Sequence, residues 1–288
     1  MNNTIYYSPV KINLTLRVLE KLENGYHNIY SLFLKKKGIE GLTIHPRYGE
    51  NIADILKVTG AEIKGENLIT KTLAYFRTRG YNIPPLNVEL RKEFPMGSGI
   101  GAGSGNAAAL ISWLKIKYSL DISLDEISTL GSDIAFLSSE NNMSIVTGIG
   151  EKLMNVDRSI DLSWGLVFPE WGSSTPKAYS KLDKLRSNKL SEEFNIEKYI
   201  EEATVITENL SKKNIVGLLP NDFYSPLRSA YPQYKMAEKI AEKSNLLAWG
   251  LCGSGSSYFV LSDNIDVIKE TMARFSKEKW VKQTTILE

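Results

Sequence analysis

Between Pro95 and Asn106 a glycine occupies every second position from 97 to 105, in Pro95-Met96-Gly97-Ser98-Gly99-Ile100-Gly101-Ala102-Gly103-Ser104-Gly105-Asn106. The residues before it, Leu86 to Leu90, alternate as a strand. Those after it, Ala107 to Tyr118, carry alanines, Leu110, Ile111, Trp113 and Leu114 without a proline, and read as a well-buried helix. A bare backbone running from a strand into a helix N-terminus offers free N–H groups, the positive end of the helix dipole and no Cβ to keep a ligand away. Polyphosphate is the ligand that suits it. A flexible linker is the plainer alternative, although linkers seldom abut so strong a helix. No Gly-Lys-Ser/Thr triplet ends the loop, so it is not a Walker A motif. Gly103-Ser104-Gly105-Asn106-Ala107-Ala108 does fit G-x-G-x-x-A, the mark of a dinucleotide-binding oxidoreductase. That reading needs a strand running straight into Gly103, whereas the strand ends near Phe94 and eight loop residues intervene.

At 288 residues with 42% in the apolar set, the chain can bury a sizeable core in one or two domains. Lysine plus arginine is 35 against 33 for aspartate plus glutamate, so nothing in the charge balance favours nucleic acid. One cysteine, Cys252, and two histidines, His27 and His45, are too few for a disulfide or a structural zinc site. Met1 to Val10 lacks the pattern of a signal peptide, and no apolar run approaches a membrane span. A soluble protein of the reduced cytoplasm is expected. With histidine so scarce, a general base is expected to be a carboxylate.

Val10 to Val18 has period-2 patterning, Ile12, Leu14, Leu16 and Val18 facing one way and Lys11, Asn13, Thr15 and Arg17 the other. The Glu23-Asn24-Gly25 turn leads to a second extended run, Ile29 to Leu34, and Leu42 to Ile44 is a third. Asn67 is placed to cap a helix through Ile69, Leu73 and Phe76 that Gly80 ends, and Ser123 with Glu126 has capping-box spacing. Helical periodicity recurs in Phe194 to Leu210, Pro232 to Lys243 and Ile265 to Phe275. Ala248 to Cys252 and Ser257 to Leu261 read as short strands around Gly253-Ser254-Gly255. The polar stretch from Asp157 to Trp164 suggests a boundary, with domains at 1–160 and 161–288. The expected class is α+β.

Four places besides the loop have residues suited to chemistry, one of them Gly253-Ser254-Gly255-Ser256-Ser257, a short glycine loop between strands that suits approach to a ligand or a tight hairpin alike. Lys11 lies among uncharged neighbours on the polar face of the first strand, where an ordinary solvated lysine is equally compatible. Asp133 is an acid in an apolar run, Leu130-Gly131-Ser132-Asp133-Ile134-Ala135-Phe136. It suits a catalytic carboxylate or a helix cap alike. Gly25-Tyr26-His27 follows a turn and offers a ring and an imidazole that could grip a planar base, or could be structural.

Taken in order, Ser8-Pro9-Val10-Lys11-Ile12-Asn13-Leu14, Asn24-Gly25-Tyr26-His27, the glycine loop, Leu130-Gly131-Ser132-Asp133, Gly148-Ile149-Gly150-Glu151 and Gly253-Ser254-Gly255 resemble the GHMP small-molecule kinases. The similarity spans nearly the whole chain, including Ser174-Thr175-Pro176 and Asn221-Asp222. It is greatest to members that phosphorylate the tertiary hydroxyl of 4-diphosphocytidyl-2-C-methyl-D-erythritol in non-mevalonate isoprenoid precursor biosynthesis. Mevalonate- or homoserine-type acceptors and a catalytically inactive nucleotide-binding homologue are the alternatives. The resemblance implies a ribosomal-protein-S5-like N-terminal domain and a ferredoxin-like C-terminal domain, with both substrates in the cleft between. It implies ATP and Mg2+, without naming the metal's ligands or an oligomeric state. Asp133 matches the catalytic base and Lys11 the lysine that polarises the attacking hydroxyl. The ATP phosphate loop maps onto Pro95, Gly97, Ser98, Gly99, Gly101, Gly103, Ser104, Gly105 and Asn106. Tyr26 and His27 match the pair that holds cytosine, Tyr179 a further aromatic on the base, and Asn13 and Thr175 substrate contacts. Three departures stand out: Gly105 where the family has a second serine, Val10 where it has alanine, and the Leu34-Lys35-Lys36-Lys37 run.

Overall fold

The alternating segment around Lys11 is a strand, but its polar face from Lys11 to Thr15 is no more solvated than its apolar one. In the computed structural model, which describes residues 4–49, 52–61, 67–186 and 194–288, Lys11, Asn13 and Thr15 are as buried as Ile12 and Leu14. Polar side chains inside must find partners there.

The chain runs β1 (Tyr6–Lys21), β2 (His27–Pro46), β3 (Ile55–Thr59), α1 (Leu68–Thr78), β4 (Leu86–Arg91), α2 (Ala102–Tyr118), α3 (Leu124–Ser128) and α4 (Ser132–Ser138). A hairpin of β5 (Met143–Thr147) and β6 (Lys152–Asn155) leads to β7 (Ser163–Pro169), α5 (Thr175–Arg186) and α6 (Ile196–Ser211). The remainder is β8 (Gly217–Leu218), α7 (Tyr224–Ala230), α8 (Gln233–Glu242), β9 (Ala248–Leu251), β10 (Tyr258–Ser262), α9 (Ile265–Phe275) and β11 (Val281–Leu287). No described helix is long and apolar enough to cross a membrane.

Two compact units result. The first comprises Met1–Lys11, Lys35–Met96 and Gly101–Glu140, the second Ile12–Leu34, Gly97–Ile100 and Asn141–Glu288. In the first, β3 and β4 run parallel with α1 as the connection, β4 pairs antiparallel with the Gly41–Pro46 part of β2, and α2 packs on α1 and α4. Asn67 caps α1 by accepting from the Ile69 amide, as its position predicts. The Ser123–Glu126 capping box is present, though α3 is only five residues long.

In the second unit the Ser31–Leu34 part of β2 pairs antiparallel with β5, and β5 with β6. A further sheet has the order β11-β7-β10-β9-β8. Its central strands β10 and β9 are buried along their whole length, which accounts for their unbroken apolar sequences. The architecture is α+β, as expected.

Two boundaries differ from the sequence reading. The runs Ile29–Leu34 and Leu42–Ile44 are parts of the one strand β2, which stays extended through Lys35-Lys36-Lys37-Gly38. Gly38 lies so close to β1 that a Cβ there would sit 2.6 Å from the Ser8 carbonyl oxygen, a spacing only glycine tolerates. Helix α2 starts at Ala102 and takes in Gly103 and Gly105. A Cβ on Gly105 would lie 1.9 Å from the Pro9 carbonyl oxygen, so this glycine lets the helix touch β1.

Candidate active site

In the first unit β1 delivers Lys11 and the first turn of α4 delivers Asp133, with Lys11 Nζ 3.7 Å from Asp133 Oδ2. The lysine side chain is 6% exposed and the aspartate 29%, so the carboxylate is the member that solvent or a ligand reaches. Gly101 adjoins both: a Cβ there would meet Asp133 Oδ2 at 3.4 Å and Lys11 Cγ at 3.5 Å. With φ of +70° it occupies the left-handed region, and as the N-cap of α2 it brings no side chain to bond the first amides of the helix. Those amides are therefore open to an anion. Asn106, in the second turn of α2, is 3% exposed, and its Oδ1 has no donor among the described residues. A buried acceptor of that kind suits a ligand's hydroxyl, a water or a cation.

Gly97 to Ile100 belong to the second unit. Gly99, with φ of +81°, presses on the Cys252–Gly255 turn so closely that a Cβ would lie 2.1 Å from the Cys252 carbonyl oxygen. The Ser257 amide donates to the Ser98 carbonyl at 3.2 Å. Gly253-Ser254-Gly255 is thus packed on the glycine loop.

Asn13 is 2% exposed; its Nδ2 donates to Ser31 Oγ at 2.9 Å and its Oδ1 accepts from the Gly253 amide at 2.9 Å. In this structure it braces the 253–255 turn. Thr175, which opens α5, places Oγ1 3.0 Å from Ser254 Oγ, and Ser173 Oγ donates to the Ser254 carbonyl at 2.8 Å.

Tyr26 and His27 flank the end of the β1–β2 turn, which is closed by the Leu22 amide donating to the Tyr26 carbonyl at 2.7 Å. The Tyr26 side chain is exposed; His27 is 7% exposed. The imidazole stacks on Tyr179, ring centroids 4.9 Å apart, and Tyr179 meets Phe223 edge-on at 4.8 Å. Because the two rings already touch, a planar base has no room between them. Asp183, one helical turn beyond Tyr179 on α5, has Oδ1 2.7 Å from His27 Nε2 and Oδ2 2.9 Å from Lys21 Nζ. Burial pushes the Asp183 carboxyl up, but hydrogen bonds from Lys21 and His27 outweigh it and hold the group below its ordinary range. The ionised carboxylate only accepts, so Nε2 carries the proton and Nδ1 is the nitrogen left for a ligand.

Sequence reasoning missed Asp183 and Lys21, while Ser254 lies in the Gly253–Ser257 loop that it singled out. Asp183 was detectable as an acid four residues after Tyr179, but only had α5 been recognised as a helix. The Glu40–Lys92 pair was missed as well. Lys92 Nζ lies 2.6 Å from Glu40 Oε2 in the interior, and Glu40 Oε1 accepts from the Glu93 and Phe94 amides just before the glycine loop.

Residues 67–146 match the GHMP kinases N terminal domain. The 4-diphosphocytidyl-2-C-methyl-D-erythritol kinase of Parabacteroides distasonis is 32% identical over 92% of this chain and 94% of its own. That of Pseudothermotoga lettingae is 34% identical over 87% of this chain and 89% of its own. A crystal structure of 4-(cytidine 5'-diphospho)-2C-methyl-D-erythritol kinase superposes with a TM-score of 0.78 at 22% identity, covering 99% of this chain and 98% of that one. With a buried lysine against an aspartate, a glycine-started helix beside them and this likeness over nearly its full length, the chain belongs to the 4-diphosphocytidyl-2-C-methyl-D-erythritol kinase family of GHMP small-molecule kinases.

Proposed function

We propose that this enzyme transfers the γ-phosphoryl group of ATP to the tertiary hydroxyl of 4-diphosphocytidyl-2-C-methyl-D-erythritol, with Asp133 as general base and Lys11 as its electrostatic partner. The observation that carries the reading is the 3.7 Å Lys11–Asp133 pair lying against Gly101 at the open end of α2. Phosphoryl transfer passes through a loose transition state, so positioning and charge neutralisation supply most of the catalysis. The amides opening α2 face the nucleotide phosphates, Asp133 accepts the hydroxyl proton, and the Lys11 ammonium steadies the charge gathering around both.

Pro95, Gly97, Ser98, Gly99, Gly101, Gly103, Ser104, Gly105 and Asn106 form the phosphate loop in this reading, Gly99 and Gly105 serving by close packing. Magnesium, when bound with ATP, neutralises charge between the phosphates. Asn106 Oδ1, buried without a donor among the described residues, is one protein oxygen that suits the ion. Tyr26, His27 through Nδ1, and Tyr179 read the cytosine. Thr175 touches the acceptor, and Asn13 serves by bracing the turn beneath it.

Asp133→Asn removes the base and leaves every phosphate contact. Turnover is expected to fall by about 10² to 10⁴ with ATP affinity nearly unchanged. Single-turnover kinetics with calorimetry of ATP binding measures both, and turnover within about threefold of wild type would remove Asp133 from its role.

A further inference from the structure

The chemistry above makes no use of the Lys35-Lys36-Lys37 run. Its first lysine is half-buried on β2, and the Nζ lies 2.5 Å from the Ser139 carbonyl oxygen and 3.5 Å from that of Phe136, above the Phe136 ring at 5.4 Å. The Phe136 carbonyl already accepts from the Ser139 amide at 3.2 Å and from Ser139 Oγ at 2.7 Å, so the closer contact, to the carbonyl of the C-cap residue Ser139, is the one Lys35 adds at the negative end of the α4 dipole.

We propose that Lys35 is a positioning residue for phosphoryl transfer: its ammonium clamps the end of α4 and thereby fixes where that helix presents Asp133. The proposal rests on the functional reading above. Helix α4 has seven residues, too few to be stable by itself, and Gly131 at its start supplies no side-chain cap. A charged donor reaching in from β2 is therefore an external constraint on the element that bears the base.

Burial pushes the Lys35 ammonium down from 10.5 to about 8, with Glu140 opposing that shift as the charged group acting on it. A lysine whose value is lower folded than unfolded binds its proton less tightly in the fold. Its contribution to stability therefore rises with pH between about 8 and 10.5 and is least favourable below that window, where the ammonium is charged in both states. At neutral pH the charge is held in place against a cost to the fold. Above pH 8 the neutral amine grips the carbonyls less strongly, so kcat is expected to fall there.

Lys35→Met and Lys35→Arg test this, with kcat and KM for ATP, the melting temperature, and amide exchange along α4 as readouts. Lys35→Met is expected to lower kcat by about tenfold, less than the roughly hundredfold of a 1 Å misplacement. KM for ATP should stay unchanged, the melting temperature should stay level or rise, and exchange should quicken at Ala135–Ser139 alone. Lys35→Arg should restore kcat and abolish the decline of kcat near pH 8. Wild-type kcat in Lys35→Met would overturn the proposal, as would kcat and melting temperature falling together with exchange rising across the whole first unit. If the wild-type enzyme released no ADP with any acceptor, the kinase reading would fail separately. Exchange would then judge the clamp: faster in α4 supports it, unchanged overturns it.

Discussion

At the scale of single residues, burial separates working polar groups from solvated ones. Lys11 on the surface of a strand would be unremarkable, but at 4% exposure it needs a counter-charge, and Asp133 supplies it. His27 is engaged in the same manner, stacked on Tyr179 with Nε2 bound to an ionised Asp183. His27→Ala should weaken the cytidyl acceptor about tenfold to a hundredfold, since base hydrogen-bonding groups are left unpaired in a desolvated pocket, and leave ATP untouched. Titration of both ligands into one folded sample, controlled by a thermal melt, measures this. A histidine that only props up Tyr179 would lower both affinities together, through the folded fraction.

Among the elements, the glycines of the loop divide by task. Gly103 has an ordinary helical backbone, and a Cβ there would make a 3.6 Å contact with Leu68 Cδ1. Gly103→Ala should accordingly stabilise the fold by roughly 0.5–1 kcal/mol while weakening ATP, because the added methyl stands where the phosphates approach. Gly105→Ala should destabilise by about 1–3 kcal/mol or more, because its Cβ would be driven into the Pro9 carbonyl. Thermal unfolding and ATP titration of the two variants separate the roles, and equal behaviour would reject the division.

The elements also mark how far the sequence could be read. Alternation revealed β1, an asparagine cap revealed α1, and the glycine spacing located the loop, because each leaves a local signature. The continuity of β2 was hidden because its parts are held extended by pairing with strands far along the chain, Ser31–Leu34 with β5 and Gly41–Pro46 with β4, and by Gly38 packing on β1, rather than by their own pattern. Helix α5 was missed because Leu182 is its one buried residue, so no apolar stripe marks it. With it went Asp183. The partners of a buried lysine or histidine come from far along the chain, and their spacing carries no short-range signal. Lys11 and Asp133 could be named as candidates from their neighbours, but their 3.7 Å approach is a property of the fold.

For the molecule as a whole, the fold belongs to kinases of small alcohols in general, and the acceptor must be chosen by the side chains around it. In the proposed reading Lys11 and Asp133 suit any alcohol, whereas Tyr26, His27 and Tyr179 serve an acceptor that carries a base. Choice of acceptor is therefore what these side chains would confer. Coupled ADP release compared for 4-diphosphocytidyl-2-C-methyl-D-erythritol, mevalonate and homoserine, under identical ATP and magnesium, tests it most directly. The kcat/KM for the cytidyl acceptor is expected to exceed both others by on the order of a hundredfold or more, and His27→Ala is expected to narrow the gap. Release at equal rates with mevalonate or homoserine, or none with the cytidyl acceptor, would contradict this.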